Sequence, residues 1–272
     1  MKCINGICGD ICGQPMEFTK DKIKDYELLS LVSKFTDDTV MTIANMRWLI
    51  SGELTPERLV KEMAELGAFY WYAGYGGRFY QWLKGKDGYL PYNSWGNGSA
   101  MRVSPVGWFF DTEEEVLKYA EMSAAVTHNH PEGIKGAQAT AMCIFLARKG
   151  ATKDEIKKYV EDKFEYNLDR TVEEIVPTYK FDVSCQGSVP ESIICFLESD
   201  SVRKAIQNAI YMGGDTDTMG MIAGSIAEAF YGTDEDLFDE CLQKTSFPHE
   251  FVETIETFNK VLDERNNDGI TW

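Results

Sequence analysis

Two short stretches carry most of the acids that can do chemistry. "GGDTDTMG" sets Asp215 and Asp217 two residues apart, interleaved with Thr216 and Thr218, directly before the apolar run "MIAGSIAEAFYG". Far upstream, "KFTDDTVMTIANMRWL" places Thr36, Asp37, Asp38 and Thr39 at the mouth of a second apolar run. One acid at a helix start is favoured by capping and by the helix dipole. Capping explains two per start poorly, because adjacent carboxylates repel unless a cation or a proton lies between them. Oxygen donors in this density suit Mg²⁺, Mn²⁺ or Ca²⁺ rather than zinc, and neither stretch continues into an EF-hand loop. Four aspartates and two threonines from two distant helix starts can hold a pair of cations ~3.5–4 Å apart.

Other candidates are more equivocal. In "CGDICGQPMEF", Glu17 reads as a functional or a surface glutamate, and Asp10 as a cap or an ion-pair partner. "WGNGSAMRVSPVGW" presents Asn97, Gly98 and Ser99 before a helical start, where backbone amides suit phosphate or diol oxygens; it also reads as an ordinary turn. Arg102 serves there as a ligand contact or a structural ion-pair partner. His128 and His130 in "THNHPEG" form a weak metal pair; a hydrogen-bonding or core role for His128 fits better. No G-x-S-x-G elbow marks a nucleophilic serine.

Helices must position these groups. Apolar spacing predicts a first helical segment around Ile4, Ile7, Cys8 and Ile11, with Gly6, Gly9 and Gly13 permitting close helix contact. Further helices are predicted at about 38–51, 56–70, 113–126, 132–149, 153–164, 190–198, 201–211, 217–230, 235–244 and 249–263. Thr55-Pro56 and His130-Pro131 are start signals. Residues 173–184, "EEIVPTYKFDVS", are the one credible extended piece, and 18–35, 84–99 and 165–189 read as irregular. The aromatic stretch Tyr70–Tyr80 reads as pocket wall or as core. The expectation is one compact all-α domain over residues 1–272 with long functional loops.

Composition bounds the partners. With 44 acidic and 27 basic residues the formal charge is −17, which disfavours nucleic acid and anionic membrane surfaces. An anionic ligand therefore needs something other than surface lysines to neutralise it, and bound cations are the obvious candidates. Seven scattered cysteines without a CxxC pair suggest reduced thiols. With no leader pattern at the N-terminus and no long apolar run, the expected setting is the cytoplasm.

Taken in order, "GDICGQPMEF", "FTDDTVMT", "GNGSAMRVSPVGW", "THNHPEGIKGAQA", "CQGSVPESIICFLES" and "GGDTDTMGMIAGSIAEAFYG" resemble the ADP-ribosylglycohydrolase family. That family includes dinitrogenase-reductase-activating glycohydrolases, ADP-ribosyl-acceptor hydrolases and crystallin-like proteins. The resemblance implies an orthogonal all-α bundle with a binuclear Mg²⁺ or Mn²⁺ centre in a cleft. It implies that Thr36, Asp37 and Asp38 supply one side of that centre, and Asp215, Asp217 and Thr218 the other, with Asp217 bridging. Glu17 matches the family's flexible glutamate, a gate or proton-transfer group, and completes a catalytic set with Asp37, Asp38 and Asp217. Asn97, Gly98, Ser99, Met101 and His128 are implied contacts of ADP-ribose, borne by a protein or a small molecule. Dinitrogenase-reductase-type members carry an Asp three residues before the glycine-flanked Asn; here Ser94 takes that place. The acceptor thus stays open among arginine, serine, O-acetyl and other linkages. Two rival readings are a non-catalytic binding or crystallin-like protein, and a binuclear-metal hydrolase of another phosphorylated glycoside.

Overall fold

The computed structural model describes residues 1–268. Its organising contact is between α1 (Asn5–Gly13) and α13 (Thr216–Tyr231), which cross backbone against backbone. A Cβ on Gly9 would stand 2.0 Å from the carbonyl oxygen of Gly220, and one on Gly13 2.2 Å from that of Thr216. Gly6 faces Ser225 in the same way, so the two helices run antiparallel and the end of α1 meets the beginning of α13. Glu228 of α13 reaches the other end of α1. It accepts from the amides of Ile4 and Asn5 at 3.1 and 3.0 Å, which satisfies donors that no residue at the start of α1 caps.

Around this pair the chain lays down α2 (Asp37–Ile50), α3 (Pro56–Phe69), α4 (Gly77–Leu83), α5 (Gly98–Met101), α6 (Ser104–Phe109), α7 (Glu113–Ala125) and α8 (Pro131–Arg148). There follow α9 (Lys153–Phe164), α10 (Val172–Ile175), α11 (Cys185–Leu197), α12 (Val202–Met212), α14 (Glu235–Lys244) and α15 (His249–Asp268). The result is an all-α bundle, as the periodicity predicts. Side-chain caps start many of the helices: Thr36, Thr55, Thr112, Thr152, Ser184 and Ser201 each accept an amide of the first turn. α8 is buried over most of its length and, with α13 and α2, forms the core that the outer helices cover.

Two sequence expectations fail locally. Residues 173–184 are not a strand. A capping box between Thr171 and Glu174 starts α10, and the remainder is turn and coil, paired only through an isolated bridge from Ser184 to Gly96. The alternating Phe181 and Val183 are exposed on coil, where they line a cavity rather than a sheet face. The helix predicted from residue 190 begins at Cys185, because Ser184 accepts the Gly187 amide and caps it; Pro190 then lies inside the helix rather than at its start.

Candidate active site

The α1–α13 crossing decides where the acids meet. Two consecutive left-handed glycines, Gly213 (φ +76°) and Gly214 (φ +82°), turn the chain out of α12 and set Asp215 at the head of α13. Its side chain makes no capping bond; it accepts from Asn97 Nδ2 at 2.6 Å. At the head of α2 the cap is Thr36, whose Oγ1 accepts from the Asp38 amide at 3.2 Å. Asp10 of α1 ties that turn down, accepting from the Thr36 amide at 2.9 Å, Thr36 Oγ1 at 2.8 Å and Thr39 Oγ1 at 2.5 Å. Capping of α2 thus accounts for both Thr36 and Asp10, which has no ion-pair partner among the described residues, and leaves Asp37, Asp38, Asp215 and Asp217 over for other work.

These acids line one end of a cavity of about 500 Å³. Carboxylate oxygens of Glu17, Asp215 and Asp217 come within 4.8 Å of one another. Burial, and then the charge of neighbouring carboxylates, holds Asp37, Asp38 and Asp217 well above the usual carboxylate range. Asp215 is pushed up to about 6 by burial, and Glu17 to about 8 by burial followed by Asp217 and Asp10. Asp38 Oδ2 is buried with no hydrogen-bond partner. Crowded acids with an orphaned oxygen are costly in the absence of positive charge. Hard divalent cations would relieve both, and the all-oxygen donor set fits such ions.

The opposite wall is built from α5, the turn before α8 and the loop at 92–97. Arg102 is fully buried and, contrary to an ion-pair role, has no carboxylate partner among the described residues. It donates to the Gly98 carbonyl at 3.1 Å, the Ser123 carbonyl at 2.6 Å and Thr127 Oγ1 at 2.9 Å. Thr127 Oγ1 lies 2.7 Å from His128 Nδ1. While accepting from Arg102 the threonine can still donate its own proton to Nδ1, and in that tautomer the ring proton is on Nε2. Burial, then the charges of Arg102 and Arg78, keep His128 neutral. Nε2 sits beside Gly98, where an added Cβ would meet it at 3.0 Å. His130 is not its metal partner: its Nδ1 accepts the Glu132 amide and caps α8.

Among the residues expected in the site, Glu17, Asp37, Asp38, Asp215, Asp217, Thr218, Asn97, Gly98, Met101 and His128 all line this cavity. Thr36 and Ser99 do not: Thr36 faces Asp10, and Ser99 Oγ donates to the Gly133 carbonyl at 2.7 Å. Tyr75, Arg78 and Tyr92 line it without having been singled out individually. The signal for the first two was the glycine-rich "AGYGGR" inside the aromatic stretch, where Gly74, Gly76 and Gly77 leave the wall low.

A family model described as ADP-ribosylglycohydrolase matches residues 4–269. The chain is similar to ADP-ribosylhydrolase ARH3 of Mus musculus, 28% identical over 260 residues, covering 74% of this chain and 70% of that protein. The match to the Homo sapiens protein of the same name is 29% over 187 residues, 52% of each chain. With the ADP-ribosyl-(dinitrogen reductase) glycohydrolase of Rhodospirillum rubrum it is 27% over 157 residues, 52% of this chain and 47% of that one. Against the human and bacterial proteins the chain thus spans about half of their length. A solved structure described as an ADP-ribosylglycohydrolase-related protein complex superposes with TM-score 0.67 over 96% of this chain and 92% of that one. At 18% identity that is a likeness of fold.

Proposed function

This chain belongs to the ADP-ribosylglycohydrolase family, and from that premise we propose that it hydrolyses the bond at the anomeric carbon of an ADP-ribosyl unit, releasing ADP-ribose from a modified acceptor. The observation that carries the reading is the buried acid cluster, with its orphaned Asp38 Oδ2, at one end of a cavity whose other wall offers neutral donors. Asp37, Asp38, Asp215 and Asp217, with Thr218, would hold two Mg²⁺ or Mn²⁺ ions, which when bound supply Lewis-acid polarisation of the reacting oxygens, while Thr36 would act from behind by capping α2.

The chain's own groups do the rest. Asn97 fixes the Asp215 carboxylate through its 2.6 Å bond, so that one wall of the cluster keeps its shape as ligands come and go. His128 offers Nε2–H to an acceptor oxygen of the nucleotide without adding charge. Glu17 carries the proton. Its carboxyl lies against Asp217 at the mouth, half in solvent, where it can pass a proton between the attacking water and the departing acceptor atom. The transition state is oxocarbenium-like, and the carboxylates around it stabilise the developing positive charge. Ser94 lines the cavity where related enzymes place an acid, so the acceptor is open among arginine, serine and O-acetyl linkages. The seven buried thiols suit a reducing compartment, and a cytoplasmic setting belongs to the same reading.

The test is release of free ADP-ribose from arginine-linked, serine-linked and O-acetyl-linked substrates, with Mg²⁺ and with EDTA. Release from at least one linkage in Mg²⁺, lost in EDTA, is expected. Silence across the panel, with ADP-ribose still bound, would overturn turnover in favour of a binding protein. Phosphate or a nucleoside monophosphate as product would transfer the site to phosphoester chemistry.

A further inference from the structure

Arg78 has no carboxylate partner among the described residues, a lack it shares with Arg102 and with Arg265, whose guanidinium lies over Phe109 away from the cavity. The chain has a large excess of acid, and Arg47, Arg58, Arg148, Arg170 and Arg203 each pair with a carboxylate. The two arginines that line the active cavity, Arg78 and Arg102, pair with none among the described residues. Arg102 is buried and spends its donors on carbonyls and Thr127. Arg78 is exposed at the start of α4, with its guanidinium 5.0 Å from the centre of the Tyr92 ring and one nitrogen donating to the Tyr92 carbonyl. That contact orients the planar fork and leaves its other N–H groups unengaged. No Cβ stands at the adjacent Gly76 or Gly77, and an added one would meet nothing within 4 Å, so the approach is open.

Five carboxylates, and the cations they would hold, occupy one end of the cavity. The exposed positive charge on the lining is Arg78, set against Tyr92, whose ring lies 5.8 Å from that of His128. Resting on the glycohydrolase reading, we infer that Arg78 receives the diphosphate of a nucleoside diphosphate ligand bound in this cavity. Arg78 is in this account a binding residue that selects for the diphosphate and leaves the chemistry to the acid cluster.

Calorimetry in Mg²⁺ with ADP-ribose, ADP and adenosine tests it on the wild type, Arg78→Gln and Arg78→Lys. A charge-assisted, forked contact predicts that Arg78→Gln weakens ADP-ribose and ADP by about ten-fold or more and leaves adenosine unchanged. Arg78→Lys should recover part of the loss, since it keeps the charge but not the fork, and the wild-type affinity should fall more steeply with salt than that of Arg78→Gln. Wild-type affinity of Arg78→Gln for ADP-ribose overturns the assignment. Equal weakening of adenosine also overturns it, because Arg78 would then act only by holding Tyr92. If the wild type binds neither ADP-ribose nor ADP, the glycohydrolase reading falls as well.

Discussion

At the scale of single residues, the site is a balance that the folded chain does not strike alone. Asp217 has Asp215, Glu17 and Asp10 for neighbours and is buried, so its ionisation costs stability unless positive charge is present. Asp217→Asn should therefore raise the melting temperature of the protein in EDTA while abolishing ADP-ribose release in Mg²⁺. A variant that melts lower than wild type in EDTA, or turns over normally, would contradict this. The same groups set a pH dependence. Glu17 titrates near about 8 and Asp215 near about 6 when folded, above their ordinary values, so the folded chain binds more protons than the unfolded chain between ~4 and 8. Stability in EDTA should fall as pH rises through that window. His128, held neutral, works in the opposite sense below its ordinary value of 6.5, but it is one group against several acids. Melting curves from pH 5 to 8 read the slope directly, and a rising one would mean that the acids are not raised as described. Asp215 and Asp217 were legible from sequence because two acids at one helix start exceed what capping needs. Arg78 was not, since a lone arginine in an aromatic stretch looks the same whether or not a carboxylate faces it.

Among elements, the α1–α13 crossing does most to assemble the site. It brings Glu17, just past α1, to the acids at the head of α13, and Asp10 carries the head of α2 to the same place. Gly9→Ala puts a methyl 2.0 Å from a backbone oxygen that no side-chain rotation can move. We expect a loss of about 1–3 kcal/mol in urea unfolding from the overpacking, together with weaker Mg²⁺ binding, because the two halves of the acid cluster are pushed apart. Loss of stability with unchanged Mg²⁺ affinity would show that the crossing supports the fold without setting the cluster. The glycine spacing of this crossing was readable, as were the long helices with Thr or Ser caps, because periodicity and capping are local. The start of α5 was read at Asn97–Ser99, but the short α4 and α6 escaped notice, since six or seven residues carry too little periodicity. Residues 173–184 misled because the exposed cavity residues Phe181 and Val183 on irregular coil mimic strand alternation, while the capping box at Thr171 and Glu174 went unread.

For the whole molecule, the question is whether cation binding at one cleft is felt by the entire chain. The chain's beginning is tied to its last helix: the Lys2 amide donates to Asn259 Oδ1 at 2.6 Å, and Asn259 Nδ2 returns a bond to the Lys2 carbonyl at 3.1 Å. Glu250 of α15 meets Arg47 of α2 at 2.8 Å and the Tyr70 hydroxyl at 2.5 Å, so the elements that frame the acids are also those that close the chain. We therefore expect residues 1–272 to unfold as one unit, with a single calorimetric transition. Mg²⁺ at 100 times its dissociation constant adds about 2.7 kcal/mol to the folded state, which for a chain of this size moves the transition up by roughly 5–10 °C. The formal charge of −17 means that any salt relieves some general repulsion, so the control is NaCl at matched ionic strength. The shift should be large in Mg²⁺, small in NaCl, and absent from a variant lacking both Asp38 and Asp217. Two transitions, with only one moved by Mg²⁺, would divide the chain into independent units. Equal shifts in both salts would remove the cations from the site and leave the crowded acids without the partner their burial demands.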